Sequence, residues 1–304
     1  MNNDLTAVKG IKVGNAEIKG AGTGCTVILS EDGFTIGAEI RGGAPATREI
    51  ALISSEAVVD KANAVFLTGG SAFGLDAAGG VMKYLSEKEI GFKTGGGVVP
   101  IVPGAAIYDL EYKSAQKPDQ NLAYQACKNA NSKPLKSTSL GAAAGAVCGK
   151  INGMELASKT VLGHAAHKNG DLVVATLAVV NAFFDIKDLN NNIIAGAKNK
   201  QGKFIDSQKY MLNNPRLKLG FSRENTTLVV VATNAILNKN EANRISMMSH
   251  SGFSRSINAV HTMLDGDAVF TLATNKVKAD INKIGITAAE VVRKAIVSAA
   301  GSNC

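Results

Sequence analysis

Apolar runs and segments with a helical period alternate along most of the chain. Short runs rich in Val, Ile and Ala predict buried β-strands, and apolar residues that recur every three or four positions predict helices. The predicted strands cover 25–29, 64–67, 98–102, 171–184, 227–232 and 267–274, and the predicted helices cover 48–60, 72–87, 239–260 and 288–300.

Two of the predicted helices have a recognisable start. Asn238 precedes Glu241 by three positions, and Thr287 precedes Glu290 in the same way, which is the capping-box pattern. Strands and helices in mixed order indicate an α/β or α+β layered domain. The pattern alone does not choose between a doubly wound sheet and two stacked sheets covered by helices.

Length and composition narrow the class of protein. The chain has 304 residues and 45% hydrophobic content, enough for one large domain or two modest ones, and no repeat or Pro-rich linker divides it. The polar, Asn- and Lys-rich stretch 185–223 is the longest loop-like segment. The net charge of +8 comes from scattered lysines and the aromatic content is 5%, which argues against a nucleic-acid partner.

Neither a membrane nor an oxidising compartment is expected. The N-terminus lacks the apolar core of a signal peptide, and the longest nearly apolar run, 172–184, is shorter than the roughly 20 residues that span a bilayer. The four cysteines show no CxxC spacing, so we expect reduced thiols in a cytoplasmic protein, with Cys148 as a small core residue.

Two weak motifs deserve a chemical interpretation. In HTMLDGD, His261 with Asp265 and Asp267 provides ligand types suited to a metal, but the spacing is weak evidence. Residues 69–74 (GGSAFG) follow a predicted strand and open a predicted helix, so their N–H groups could hold an anion. A tight turn that needs glycine is the favoured reading there.

The junction Asn225-Thr226 separates a polar segment from the apolar strand TTLVVVA. A threonine hydroxyl is a poor nucleophile unless a base removes its proton. Cleavage before Thr226 would create an α-amine on the same residue, whose reference pKa of about 7.7–8 suits a general base. An ordinary turn into a strand fits the same residues, and taken alone they favour the turn.

Several ordered motifs shift that balance. They are Ile40–Glu49 (IRGGAPATRE), Leu67–Asp76 (LTGGSAFGLD), Val99–Pro103 running on to Tyr108–Leu110, Gly145–Lys150, Val180-Asn181, Asn225–Thr233 and His261–Asp267. In these motifs the chain resembles, over nearly its whole length, the self-processing aminopeptidase family of DmpA-type L-aminopeptidase/D-esterases, β-peptidyl aminopeptidases and nylon-oligomer endohydrolases.

The resemblance implies a single domain with a four-layer α-β-β-α sandwich fold, also shared in general architecture by ornithine acetyltransferases. It further implies self-cleavage between Asn225 and Thr226, giving an α chain 1–225 and a β chain 226–304. The Asn-Thr junction resembles the nylon-oligomer branch, whereas the DmpA-type branch cuts at Gly-Ser. Ala46 and the Ala-rich stretch 141–145 depart from the family pattern without removing a proposed catalytic group.

Roles for individual residues follow from the resemblance. Thr226 is the nucleophile, Lys150 keeps its amine neutral, and Asn181 donates to the oxyanion. Asp265 and Asp267, two apart and expected to share one strand face, anchor the amine or assist self-cleavage, with a solvated turn as the alternative. Tyr108 matches an active-site tyrosine, or else lies at the edge of the core.

The expected activity is hydrolysis of amide bonds in small peptides or ω-amino-acid oligomers, through an acyl-enzyme and without metal or organic cofactor. We also expect a homotetramer of αβ units. Two alternatives are an acyltransferase of the ornithine-acetyltransferase type and an uncleaved small-molecule binding protein. Residues 187–218 look like an insertion that could reshape the site, so the substrate stays open.

Overall fold

A computed structural model describes residues 1–214 and 225–301. Its strands are β1 Lys12–Ile18, β2 Thr23–Arg41, β3 Thr47–Arg48, β4 Lys61–Thr68, β5 Phe92–Thr94, β6 Gly97–Val99, β7 Gly104–Ala106, β8 Val147–Cys148, β9 Ser158–Lys159, β10 Gly163–Asn169, β11 Leu172–Asn181, β12 Asp185–Lys187, β13 Ile193–Ala195, β14 Thr226–Ala235, β15 Ile257–Asn258 and β16 Asp267–Val277. Its helices are α1 Ile50–Ile53, α2 Ser71–Gly74, α3 Ala78–Ser86, α4 Gln120–Asn129, α5 Ser207–Asn213, α6 Lys239–Ser254 and α7 Ile281–Ser298.

A nine-stranded sheet is built around the long strand β2. The strand order is β10-β11-β14-β16-β2-β4-β7-β3, with β1 also paired to β2. The first part of β2 pairs with β1 and β4, and its second part pairs with β16. β2 therefore takes part in two packed halves of the sheet.

Alternation along the strands assigns the layers. On β14, Leu228 and Val230 belong to the same core as Ile28 and Phe270, which lies between the two halves of the sheet. Their neighbours on the strand point the other way, as pleating requires, and pack with helices α6 and α7. Helices α3 and α4 cover the opposite side, against β2 and β4. The predicted four-layer α-β-β-α sandwich is confirmed.

Five of the six predicted strands are confirmed, with β11 ending at Asn181 and a separate strand beginning at Asp185. The exception is 98–102. Strand β6 stops at Val99, because Pro100 has no N–H to continue a ladder. The next strand begins only at Gly104.

The helix predicted over 48–60 is wrong. Only α1 forms, and the carbonyls that a longer helix would use are bonded elsewhere. Lys239 Nζ donates to the carbonyls of Leu52 and Ala57, and Asn243 Nδ2 donates to that of Ile53. Tertiary contacts thus replace the helical bonds.

The other predicted helices need smaller corrections. Asn238 and Glu241 form a capping box at the start of α6, as predicted, but this helix ends at Ser254 rather than at 260, and Ile257–Asn258 forms β15. Helix α7 begins at Ile281 rather than 288, because Asp280 caps it and Thr287 lies inside, bonding the Lys283 carbonyl. The predicted helix 72–87 is divided by a 3₁₀ turn at Leu75–Ala77. The supposed loop 185–223 contains β12, β13 and α5 within its described part.

Two predictions concern features beyond the core. No helix in residues 1–214 and 225–301 is long and apolar enough to cross a membrane. Cys25, Cys127 and Cys148 are free buried thiols, and Cys148 is a core residue as predicted. Cys304 lies outside the described residues.

Candidate active site

Thr226 begins strand β14 and is 4% exposed. It lies directly opposite Asn181 in the antiparallel pair with β11, while on the other side β14 runs parallel to β16. The ladder with β16 starts at Leu228, and the isolated bridge between Asn225 and Asp265 precedes it, so the backbone is paired with β11 at Thr226 and with the β16 side on both flanks of it. The polar residues 215–224 that precede this site, expected to move away after cleavage, lie outside the described residues.

The carbonyl of Asn225 is held by two donors. The Thr226 hydroxyl donates to it at 2.5 Å, and the Gly266 N–H donates to it at 2.8 Å. The N–H of Asn225 in turn donates to the Leu264 carbonyl at 2.9 Å. The Asn225–Thr226 peptide therefore lies against the turn 262–266, and the Thr226 hydroxyl contacts the Asn225 carbonyl oxygen.

Asp267 is the first residue of β16 and is 2% exposed. Its Oδ1 accepts the Thr227 N–H at 2.7 Å, which ties it to the residue after Thr226. Its Oδ2 accepts from the His261 ring at 2.8 Å. Asp267 thus joins the start of β14 to the turn before β16.

Asp265 lies in that turn, not on the strand, so the prediction that both aspartates share one strand face is wrong. Its Oδ2 accepts the Thr262 N–H and hydroxyl, each at 2.7 Å. Both aspartates are buried, which contradicts the alternative of a solvated turn. Burial, and then the charge of Asp267, raise the pKa of Asp265 to about 6.

Lys150 follows the short strand β8 and is 5% exposed. Its Nζ donates to the Asn181 carbonyl at 2.9 Å, which places it beside the residue that faces Thr226. Burial lowers the pKa of Lys150 to about 7, with only partial compensation from nearby acids such as Asp265. A neutral amine is therefore available near physiological pH.

Asn181 links three parts of the site. Its Nδ2 donates to the Tyr108 carbonyl at 2.9 Å, and its Oδ1 accepts the Val147 N–H at 3.2 Å. In the continuous chain the side chain therefore contacts neighbouring backbone. The Tyr108 hydroxyl donates to Glu111 at 3.2 Å from a half-buried ring.

Asp109 is a buried residue that the sequence did not single out, although the Tyr108–Leu110 motif contains it. Its Oδ1 accepts the Gly70 N–H at 2.7 Å, so this N–H is bonded within the protein and is not left for a bound anionic ligand. Gly70 has φ +82, and a Cβ on Gly69 would lie 2.1 Å from Asp109 Oδ2. The tight-turn reading of the glycine loop fits these contacts. Burial raises the pKa of Asp109 to about 6.

His261 was considered in the sequence as a metal ligand, and the structure gives it other contacts. Its Nδ1 and backbone N–H both meet Asp267 Oδ2, and its ring packs on His250 at 4.7 Å. Across the described parts of the chain, no group of three or more His, Cys, Asp or Glu could hold a metal ion. The residue fixes the orientation of Asp267.

The six predicted residues thus form one connected site. Thr226, Asp265 and Asp267 meet at the turn before β16, and Lys150 and Asn181 approach from β8 and β11. Tyr108 joins through its carbonyl. Asp109 and Gly266 are additions from the structure, since their contacts depend on tertiary approach, and His261 has a different role from the metal ligand considered in the sequence.

Comparison with known proteins gives a consistent result. The sequence profile of peptidase family S58 matches residues 3–302. An uncharacterised aminopeptidase of Mycobacterium tuberculosis is 37% identical, and the match covers 99% of this chain and 89% of that protein. The 6-aminohexanoate-oligomer endohydrolase of a Kocuria species is 28% identical, over 96% of this chain and 84% of the relative.

A solved structure supports the fold. The L-aminopeptidase D-Ala-esterase/amidase of Ochrobactrum anthropi, described as a variant of the Ntn hydrolase fold, superposes with a TM-score of 0.70 at 16% identity. The superposition covers 98% of this chain and 85% of the other.

Proposed function

The chain belongs to peptidase family S58, whose reaction is hydrolysis of amide bonds, and we propose that it acts as a self-cleaved enzyme with Thr226 as N-terminal nucleophile. Cleavage between Asn225 and Thr226 gives an α chain 1–225 and a β chain 226–304. The observation that carries this proposal is the Thr226 hydroxyl, buried and set 2.5 Å from the carbonyl oxygen of the bond to be cut.

Two stages of the reaction need two bases. Before cleavage the nitrogen of Thr226 is an amide and cannot accept a proton, so another group must do so. Lys150 suits this stage, because its pKa of about 7 leaves a neutral amine near physiological pH. After cleavage the free α-amine of Thr226 takes over as base and then as acid. The resemblance implies that a protonated Lys150 keeps the α-amine of Thr226 neutral, and with a pKa of about 7 Lys150 is mostly protonated only below that pH.

The other residues support the nucleophile. Asp267 holds the N–H of Thr227, and Asp265 lies across the turn where it can meet the new α-amine. Asn181 supplies a side-chain N–H for the oxyanion of the substrate, and Tyr108 lies at the rim of the same site. No step in this scheme uses a metal or an organic cofactor.

The names of the relatives support a substrate class for this chain. Their names describe aminopeptidases and a 6-aminohexanoate-oligomer endohydrolase. We propose small peptides or ω-amino-acid oligomers as substrates, and a homotetramer of αβ units as the assembly. The buried free thiols support a cytoplasmic location.

An acyltransferase of the ornithine-acetyltransferase type is the second candidate, since the same acyl-enzyme could pass its acyl group to an amine. Supplying an amine acceptor together with water separates the two reactions. Release of free acid at an unchanged rate supports the hydrolase, whereas near-complete transfer to the amine supports the transferase. The third alternative, an uncleaved binding protein, requires that the chain stay whole.

The test uses two neighbouring threonines as matched variants. Thr226→Val keeps the shape but removes the hydroxyl, and we expect neither cutting nor hydrolysis. Thr227→Val makes the same change one residue later and keeps the N–H that Asp267 accepts, so we expect the chain still to cut. Intact mass and a denaturing gel report the fragments. Cutting by the Thr226 variant, or a wild-type chain that stays whole, would contradict the proposal.

A further inference from the structure

The Asn225 carbonyl has a backbone donor already in place on the side of the turn before β16. Gly266 N–H donates to the Asn225 oxygen at 2.8 Å, while the Thr226 hydroxyl contacts the same oxygen at 2.5 Å. We propose that Gly266 N–H is the oxyanion donor for self-cleavage. This inference rests on the proposed function, because it assigns a group to the first stage of that reaction.

The chemistry places negative charge on that oxygen. Thr226 Oγ forms a bond to the Asn225 carbonyl carbon, and the carbonyl oxygen becomes an oxyanion. The C–N bond then breaks, the hydroxyl proton ends on the departing nitrogen, and Asn225 is left as an ester on Thr226. Water hydrolyses the ester to the Asn225 carboxylate and restores the hydroxyl. A donor at 2.8 Å from the ground-state oxygen strengthens as charge develops.

The donor is fixed by its surroundings. Asp265 N–H bonds the Thr262 carbonyl, and the Asp265 carbonyl accepts the Ala44 N–H, so the peptide before Gly266 is held on both sides. Because these bonds exist before the reaction, little reorganisation is needed when the oxyanion forms.

Only glycine allows the approach. A Cβ on residue 266 would lie 2.6 Å from the Ala44 carbonyl oxygen and 3.1 Å from Thr226 Oγ1. Any side chain would therefore push the turn away from the nucleophile. The glycine in the Asp265-Gly266-Asp267 sequence serves close contact, and its N–H serves the carbonyl.

Two other donors near the site have different acceptors in the uncut chain, although Asn181 Nδ2 carries a second N–H. Asn181 Nδ2 donates to the Tyr108 carbonyl, and the Thr227 N–H donates to Asp267. Self-cleavage and substrate hydrolysis thus use different oxyanion donors. Gly266 acts on the chain's own peptide, and Asn181 is kept for a substrate that enters later.

The test replaces one backbone N–H with oxygen. Incorporating glycolic acid at position 266 in the full-length chain turns the amide into an ester without adding a side chain. The matched control is the same change at Gly43, whose N–H donates to the Thr262 carbonyl at 3.0 Å in the adjoining loop. Each variant loses one backbone hydrogen bond. Cutting is followed by intact mass after purification of the whole chain.

We expect the 266 ester to cut roughly 100- to 1,000-fold more slowly than wild type, the typical effect of losing one oxyanion donor. The Gly43 ester should cut within a few-fold of wild type. Equal rates in the two esters would overturn the assignment while leaving self-cleavage intact. Failure of the wild-type chain to cut would instead overturn the proposed function.

A second measurement covers the case in which the 266 ester does not fold. In the uncut Thr226→Val chain, the Gly266 amide should exchange its hydrogen slowly, because it is bonded to the Asn225 carbonyl. Exchange at the rate of an unprotected amide would show that this bond is absent and would overturn the proposal.

Discussion

A buried lysine, Lys150, and a half-buried lysine, Lys159, stand at opposite ends of one small hairpin, β8 with β9, and their surroundings differ. Burial lowers the pKa of both Lys150 and Lys159 to about 7. Lys159 Nζ donates to three carbonyls, those of Ala143, Ala146 and Thr160, at 2.7–2.8 Å. In the described residues Lys150 Nζ donates to a single carbonyl, that of Asn181.

In the proposed reaction, this difference separates a structural lysine from a reactive one. One Lys159 donor satisfies the Ala143 carbonyl at the end of the 3₁₀ turn Gly141–Ala143, and the other two satisfy the carbonyls of Ala146 and Thr160, so its amine is matched to the backbone. Lys150 lies beside the residue facing Thr226 and keeps donor capacity for other groups. Equal pKa values therefore do not imply equal roles.

The largest expected effect is at Lys150. Replacing it with Met keeps the bulk but removes the base, so self-cleavage and the hydrolysis that depends on it should slow by roughly 100- to 10,000-fold. Intact mass over time and turnover of a short amide substrate measure this, with thermal unfolding as the check on the fold. A Lys150→Met chain that cuts at the wild-type rate would remove the distinction between the two lysines.

Lys159→Met should act on stability instead. It leaves three carbonyls without their donor, and relief of lysine desolvation offsets part of that loss, so we expect a net cost of about 2–4 kcal/mol. Between pH about 7 and 10.5 the unfolded chain binds more protons than the native state, so wild-type stability rises with pH there. Denaturant unfolding should therefore show a deficit that grows from pH 7 to pH 10.

The rates of cutting and hydrolysis test whether Lys159 is only structural. Chains of the Met variant that remain folded should cut and hydrolyse within about threefold of wild type, as expected for a change that touches no reacting atom. A large loss of rate at unchanged stability would assign Lys159 to the reaction.

Asp109 influences both lysines, because its negative charge raises the pKa of each and opposes the effect of burial. Its pKa is raised to about 6, so the native state binds more protons than the unfolded chain between pH about 4 and 6. Stability from this group is therefore lost as pH rises through that window, by at most about 3 kcal/mol. Asp109→Asn can still accept the Gly70 N–H, and it should flatten the curve.

Unfolding at pH 4, 5, 6 and 7 tests the sign. Asp188 is the control: hydrogen bonds from Asn192 lower its pKa, so its carboxylate is ionised in both the native and the unfolded state above its ordinary pKa of about 4, and Asp188→Asn should leave the pH dependence between pH 5 and 7 unchanged. Parallel curves for wild type and Asp109→Asn would show that the carboxylate ionises normally in the fold.

The pH dependence of the wild-type rate tests Lys150 without any substitution. If neutral Lys150 is the base, the rate of self-cleavage should fall about tenfold for each pH unit well below pH 7 and level off above it. Lys159→Met should keep the same profile. A rate independent of pH between 5 and 8 would point to another base.

Parts of this picture could be predicted from the sequence, for physical reasons. Strands β14 and β16 could be predicted because they are dense apolar runs. The start of α6 could be predicted because Asn238 and Glu241 form a capping box within four residues. The helix over 48–60 was wrong because Lys239 and Asn243, distant in sequence, take its carbonyls.

Some residues of the candidate site could likewise be predicted from the sequence, and others could not. Thr226 and its proposed partners came from the ordered motifs of the resemblance, not from spacing alone. Asp109 and Gly266 were missed because their importance lies in approaches between segments far apart in the chain, such as Asp109 to Gly70 and Gly266 to Asn225. A single sequence carries no distance of that kind.

The strand order has a mechanical consequence for maturation. Strands β14 and β16 of the proposed β chain lie side by side, with β11 on one flank and β2 on the other, both from the proposed α chain. The proposed cut at Asn225 would therefore sever the covalent chain without opening the sheet. The two fragments would stay hydrogen-bonded to each other, because separating them requires breaking both the β11–β14 ladder and the β16–β2 ladder.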